Sequence, residues 1–200
     1  MIAIIDYGAG NIFSVKNACS YLGIEAGLTS DKREIENADG IILPGVGAFP
    51  AAMDSLVKSG LVDTIRTEAH KKPFLGICLG MQLIFSKGYE FEERDGLGLI
   101  DGEVTLMQPQ GLVIPHMGWN RLEKNKDCPL MHGLDGDSFV YFVHSYSAHC
   151  ADEDVAAYTD YGGRITALVS HDNIYGAQFH PEKSGETGLK MLANFAALCK

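Results

Sequence analysis

One cysteine, one histidine and one glutamate stand where their types suit an attack on a carbonyl carbon. Cys78 lies in Gly76-Ile77-Cys78-Leu79-Gly80, at the point where an apolar run gives way to a helix-like stretch. Glycines on both sides permit a tight, strained turn with close backbone approach, the geometry of a nucleophile elbow. Such a turn exposes the sulfur, and the N–H groups that open the following helix favour the thiolate. His180-Pro181-Glu182 directly follows the apolar run from Tyr175 to Phe179. A histidine titrates near neutrality and serves as a general base. A carboxylate two residues later reaches its far ring nitrogen, fixing the tautomer and stabilising the imidazolium, and Pro181 stiffens the link. Together they form a nucleophile, a base and an orienter. Pro44-Gly45-Val46-Gly47 closes a further apolar run, and its glycines let a peptide turn its N–H towards an oxyanion. Each signal alone is weak. A free cysteine is usually a small buried hydrophobe, and that reading stands for Cys19, Cys128, Cys150 and Cys199. A lone histidine at a strand end is more often structural, and PGxG mostly marks a turn.

The elements that must position these residues read as alternating strands and helices. Ile2 to Asp6 is a short apolar run ended by Gly8 and Gly10, as in a buried parallel strand. Asn11 to Leu22 places Ile12, Val15, Cys19 and Leu22 on one helix face, with Gly23 as a stop. Ile41 to Leu43 and Phe74 to Ile77 are further buried strands, the latter followed by a helix from Leu79 to Phe85. This alternation predicts a three-layer α/β fold with a parallel core, whose strand C-terminal ends share one ligand-binding edge. From Leu97 to Ala157 short β-like runs separated by turn residues predict an antiparallel extension of the sheet. The parallel pattern is expected to return at Ile165 to Val169 and Tyr175 to Phe179, before an amphipathic helix from Thr187 to Leu198 that packs through Leu189, Leu192 and Phe195.

Composition narrows the function. The 200 residues are 46% hydrophobic and 21% charged, with a net charge of −10, and suit one domain spanning residues 1–200. An acidic chain without a basic stripe does not suit nucleic acid. No segment is apolar for long enough to span a membrane. Five cysteines without a CxxC pair indicate neither a disulfide framework nor a thiolate zinc site, and a reduced, cytoplasmic setting is expected. His116 and His144 lie in unusual surroundings, and with His70, His132, His149 and His171 they show no metal-ligand spacing. All six read as surface or structural histidines. Asp6-Tyr7-Gly8-Ala9-Gly10-Asn11 looks like a phosphate loop but lacks the lysine.

PGVG, GICLGMQ and HPEKS, in this order, resemble the class I, triad-type glutamine amidotransferases. DYGAGN, PGVGAF, PHMGWN and YFVHSY resemble more closely the glutaminase subunits of imidazole glycerol phosphate synthases. The resemblance covers essentially the whole chain. It implies a flavodoxin-like, mostly parallel sheet with helices on both faces, and Cys78 as nucleophile, His180 as general acid/base and Glu182 as orienter. It implies that Gln82 and Glu90 hold substrate glutamine, that Ser145 and Tyr146 contact it through their backbone, and that Gly47 and Leu79 offer oxyanion N–H groups once the Gly45-Val46 peptide turns. Asn11, Trp119, Tyr141 and Lys183 match positions facing a cyclase subunit, a β/α barrel that would receive ammonia within a heterodimer and make imidazole glycerol phosphate and AICAR. No cofactor and no metal are implied. Alternatives are another triad amidotransferase supplying pyridoxal phosphate or purine synthesis, a paralogue feeding surface-sugar amidine formation, a non-enzymatic binding or scaffold protein on the same fold, and a thiol peptidase.

Overall fold

The structure is a computed structural model that describes residues 1–8, 10–134 and 136–199. Ala9 of the Asp6–Asn11 motif and Lys200 of the expected 1–200 domain lie outside the described residues. The first half alternates as the sequence suggests, with more elements than its strongest runs reveal: β1 (Ile2–Ile5), α1 (Ile12–Tyr21), β2 (Ala26–Thr29), α2 (Lys32–Asn37), β3 (Gly40–Gly45), α3 (Phe49–Ser59), α4 (Val62–Ala69), β4 (Phe74–Cys78) and α5 (Leu79–Leu83). Local chemistry starts and stops these helices. Asp31 caps α2 by accepting from the N–H groups of Arg33 and Glu34. Pro50 sits in the first turn of α3, where it sacrifices no helical bond, and Gly60 ends that helix in the left-handed region. The expected helix from Leu79 to Phe85 is shorter, because Phe85 already opens the strand β5 (Phe85–Gly88).

The remaining elements are β6 (Arg94–Asp95), β7 (Ile100–Leu106), β8 (His116–Arg121), β9 (Glu123–Lys124), β10 (Phe139–His144), β11 (Tyr146–Cys150), β12 (Val155–Asp160), β13 (Arg164–His171), β14 (Ile174–Ala177) and α6 (Gly185–Leu198). Among the described residues the strands form three sheets. The eight-stranded sheet runs β2-β1-β3-β4-β14-β13-β12-β9. Its first five strands pair in parallel, and the rest continue antiparallel.

Two sequence expectations are corrected here. β13 carries the continuous apolar run of a parallel strand, yet it pairs antiparallel with both β14 and β12. Its run reflects burial on both faces, which periodicity cannot distinguish from parallel pairing. The middle region is also not simply an extension of the main sheet. Only β9 and β12 join it. β8 and β10 form a two-stranded ribbon, and β11-β7-β5-β6 forms a small sheet of its own.

Helices cover both faces of the main sheet. Side chains alternate along each strand, so Ala3, Ile5, Ile41 and Leu43 enter one core with α2, α3, α4 and α5. Ile2, Ile4 and Ile42 enter the other, with α1 and α6, where Met191, Leu192 and Phe195 are buried. No helix among the described residues is long and apolar enough to cross a membrane.

Candidate active site

The parallel strands bring the sequence motifs together at their carboxyl edge. Register places Gly45 of β3 beside Cys78 of β4, and Ala177 of β14 beside Ile77, so the chain after β14 passes the cysteine. Cys78 has φ 54° and ψ −111° between strand and helix. That is a left-handed conformation which costs a non-glycine residue about 1–3 kcal/mol and is typical of functional sites. The strain therefore sits on the cysteine itself. Its bracketing glycines are needed for close approach instead. A Cβ at Gly80 would lie 1.8 Å from the Leu43 carbonyl oxygen, and one at Gly76 would lie 2.6 Å from that of Gly80. A Cβ at Gly45 would lie 2.8 Å from the Gly80 nitrogen.

His180 follows β14 by three residues and caps the start of a short 3-10 turn over Pro181–Lys183. Its backbone N–H donates to the Tyr141 carbonyl at 3.0 Å. Ser184 locks the same turn, its hydroxyl donating to the His180 carbonyl at 2.6 Å and accepting from the Tyr141 N–H at 3.0 Å. The imidazole Nδ1 lies 2.8 Å from Glu182 Oε1. Burial opposes the charged imidazole, but Cys78 and Glu182 together outweigh it and lift His180 to about 9. Both contacts favour the imidazolium form of His180 beside the sulfur. His180 Nε2 and Glu182 Oε2 make no hydrogen bond within the described chain, which leaves the Nε2 hydrogen for a reacting group.

A cavity of about 290 Å³ opens at this edge. Its lining gathers Val46, Gly47, Cys78, Leu79, Gln82, Glu90, Ser145, Tyr146 and His180, all singled out in the sequence, and adds Pro115, Val143 and His144. That volume is at the small end for ligand sites and suits a metabolite of amino-acid size. Glu182 and Gly45 stand behind the wall, the first supporting His180 and the second packed on the elbow. Gly47 has φ 102° with open space around it. Glu90 accepts from the Phe49 N–H at the start of α3 at 2.7 Å, an anchor that suits a carboxylate at a helix N-terminus.

Sequence reasoning missed several residues of this region. Tyr7 is buried and donates to the Pro44 carbonyl at 3.0 Å, holding the strand end before Val46. Burial, with the Cys78 charge adding to it, pushes the Tyr7 phenol well above its ordinary range. Gln178, 0% exposed, places its Nε2 4.0 Å from Cys78 Sγ and accepts from Gln82 Nε2 at 3.1 Å. Its position two residues before His180 was the only sequence signal. His116 and His144 are buried, so of the two readings open for them, surface or structural, the structural one holds.

Of the four partner-facing candidates, Trp119 and Tyr141 lie on the ribbon, Asn11 at the start of α1 and Lys183 in the turn before α6. β8 and β10 pair Trp119 with Tyr141 and His116 with His144. Alternation turns Met117, Trp119 and Arg121 outward on β8 and buries Val140, Phe142 and His144 on β10. Trp119 is 56% exposed and stands edge-on to Tyr141 at 6.2 Å between ring centres. Lys183 is exposed, and Asn11 accepts from the Ser14 hydroxyl at 2.8 Å.

The fold, the elbow cysteine and the histidine–glutamate pair define a triad-type amidotransferase, and the family model for "Glutamine amidotransferase class-I" matches residues 3–199. The chain belongs to the class-I glutamine amidotransferase family. Within it, the chain is 54% identical over 196 residues to the imidazole glycerol phosphate synthase subunit HisH of Bacillus cereus, covering 98% of this chain and 93% of that one. It is 50% identical over 202 residues to the protein of the same name from Caldanaerobacter subterraneus, covering 100% and 99%. Among solved structures, one titled glutamine amidotransferase superposes with a TM-score of 0.78 at 20% identity, covering 100% of this chain and 99% of that one. PurLQS from Thermotoga maritima superposes at 0.76 and 22% identity, covering 100% and 98%. At that identity the two structures speak for the fold alone.

Proposed function

We propose that this chain is the glutaminase subunit of an imidazole glycerol phosphate synthase, a single amidotransferase domain that works in the cytoplasm. The observation that carries the reading is the convergence at one sheet edge of a strained Cys78 and a His180 bonded at 2.8 Å to Glu182, both opening onto one cavity. The near-full-length identity to two HisH subunits supports the choice of pathway over a paralogous amidotransferase.

In the reaction the Cys78 thiolate attacks the carboxamide carbon of glutamine and the carbonyl electrons move to oxygen. N–H groups at Gly47 and Leu79, with the Gly45-Val46 peptide able to turn, stabilise that oxyanion. The His180 Nε2 hydrogen passes to the leaving nitrogen, the C–N bond breaks, and ammonia departs from a γ-glutamyl thioester. Neutral His180 then takes a proton from water, which attacks the thioester and releases glutamate, and the proton returns Cys78 and His180 to their starting state. Gln82 and Glu90 hold the amino-acid end of the substrate, and the Ser145 and Tyr146 backbone lines its side. Glu90, anchored through Oε2, keeps Oε1 for the substrate ammonium.

Ammonia passes to a cyclase subunit of β/α-barrel form, docked over Trp119, Tyr141, Lys183 and Asn11, for synthesis of imidazole glycerol phosphate and AICAR. The exposed apolar side chains Met117, Trp119 and Phe139, on a ribbon whose inner face lies against the site, suit such docking. Treatment with a glutamine-analogue electrophile, followed by peptide mass spectrometry, tests the nucleophile. A single adduct on Cys78, prevented by excess glutamine, is expected. Labelling of Cys150 in place of Cys78 would overturn the assignment.

A further inference from the structure

His116 and His144 have no part in the chemistry above, yet His144 lines the cavity and both are buried. They face each other across β8 and β10 with His116 Nδ1 3.0 Å from His144 Nε2. Groups that have only one hydrogen-bonding option fix where their hydrogens sit. The Tyr146 carbonyl can only accept, so His144 Nδ1, 2.8 Å away, carries a hydrogen. Burial pushes His144 down to about 4, against the support of that carbonyl and with the charges of His116 and His180 adding to the fall. His144 Nε2 is therefore a bare acceptor at neutral pH, and His116 Nδ1 must donate to it. Burial likewise pushes His116 to about 4, leaving its Nε2 bare, 3.4 Å from the Asn120 amide nitrogen. The Asp160 carbonyl orients that amide at 2.9 Å. The His116 ring is clamped between Phe142 and Tyr161, with ring centres 4.6 and 4.0 Å away.

The donors thus point one way, from Asn120 through His116 and His144 to the Tyr146 carbonyl. The same carbonyl accepts from Gln82 Nε2 at 3.2 Å. Gln82 continues to Gln178, and Gln178 to the Cys78 sulfur. At its other end the chain begins on β8, beside the exposed Trp119.

We propose that His116 and His144 are positioning residues for glutamine binding: a neutral pair, each hydrogenated at Nδ1, that holds the Tyr146 peptide and with it Gln82 against the substrate. The pair ties this wall of the cavity to the strand that carries Trp119. The proposal rests on the glutaminase reading of the site. A pair that only filled the core would leave glutamine affinity untouched, and a pair held by packing alone would have no fixed polarity.

The test uses the chain bound to its cyclase subunit. Ring-¹⁵N histidine spectra at pH 7 read each tautomer, with His116→Asn and His144→Asn assigning the two rings. Both rings are expected in the neutral Nδ1–H form, and either ring as imidazolium or as the Nε2–H tautomer would overturn the proposal. Glutamine kinetics supply the second readout. His116→Phe keeps the stacking ring but leaves His144 Nε2 without its donor, and KM for glutamine should rise about tenfold with kcat within about twofold. His116→Asn keeps a donor near the Nδ1 position and should hold KM within about threefold. An unchanged KM in folded His116→Phe refutes the positioning role, and the tautomer spectra of the unsubstituted complex decide if that variant fails to fold. Absence of glutamate release by the unsubstituted complex would instead remove the glutaminase reading itself.

Discussion

Replacing Glu182 by glutamine isolates the orienting charge. The side chain is almost wholly buried, and Oε1 sits 2.8 Å from His180 Nδ1. Burial lowers His180, and the Cys78 and Glu182 charges together reverse this to about 9. Glutamine keeps the shape and an acceptor oxygen but removes the charge. It also puts an amide nitrogen where Oε2 has no partner. A hydrogen bond to a buried charged group contributes about 1.5–3 kcal/mol, so partner-stimulated kcat should fall roughly 10- to 150-fold. The nucleophile remains, so the loss should be smaller than in Cys78→Ala. The pH dependence gives the more specific readout. In the proposed reaction imidazolium His180 supplies the proton to ammonia, so the alkaline limb of kcat/KM should stand near 9 in the unsubstituted enzyme and move towards the ordinary histidine value of about 6.5 in Glu182→Gln. The sign for stability follows: a raised histidine contributes fully below about 6.5, and the contribution is lost as pH rises through about 9. The stability gap between the two proteins should therefore narrow in alkaline urea titrations. A limb that stays at 9, or a rate within twofold, would refute the role assigned to Glu182.

Cys78→Ala should abolish glutamate release while keeping the fold. Cys78→Gly should be equally inactive yet more stable than Cys78→Ala by about 1 kcal/mol, a rise of roughly 2–4 °C in Tm, because glycine relieves the positive φ; equal melting points would show that the elbow stores no strain. Gly80→Ala puts a Cβ 1.8 Å from a backbone oxygen that cannot swing away, and a loss of more than about 3 kcal/mol in urea unfolding is expected. A near-neutral effect would mean that α5 shifts freely. His116 and His144, both held near 4, are protonated more readily when unfolded, so stability should fall as pH drops from about 6.5 to about 4. His116→Asn should flatten part of that slope, and an unchanged slope would contradict the buried neutral pair.

Chemistry was legible in the sequence where it is local. Cys78 and its glycines occupy five consecutive residues, and His180 and Glu182 are two apart, so each motif carried its own geometry. The close backbone approach expected of Gly76 and Gly80 is met, since neighbouring backbone leaves no room for a Cβ at either, while the positive φ of the turn falls on Cys78 itself. Phe49, Ala52, Met53 and Leu56, with Gly60 as a stop, carry the helix signal of α3 in the sequence. α2 has six residues and β2 four, three of them half-buried, too few for a period to show. What stayed hidden depends on pairing between distant segments. The antiparallel direction of β13, the Tyr7 bond to Pro44, the approach of Gln178 to Cys78 and the meeting of His116 with His144 exist only once the strands have chosen neighbours.

Glutamate release by this chain, alone and then with the cyclase subunit and its nucleotide ligand, tests the central claim most directly. Turnover near background for the isolated chain, strong stimulation in the complex, and complete loss in Cys78→Ala are the predicted results. Glutamate release that survives Cys78→Ala would contradict the account.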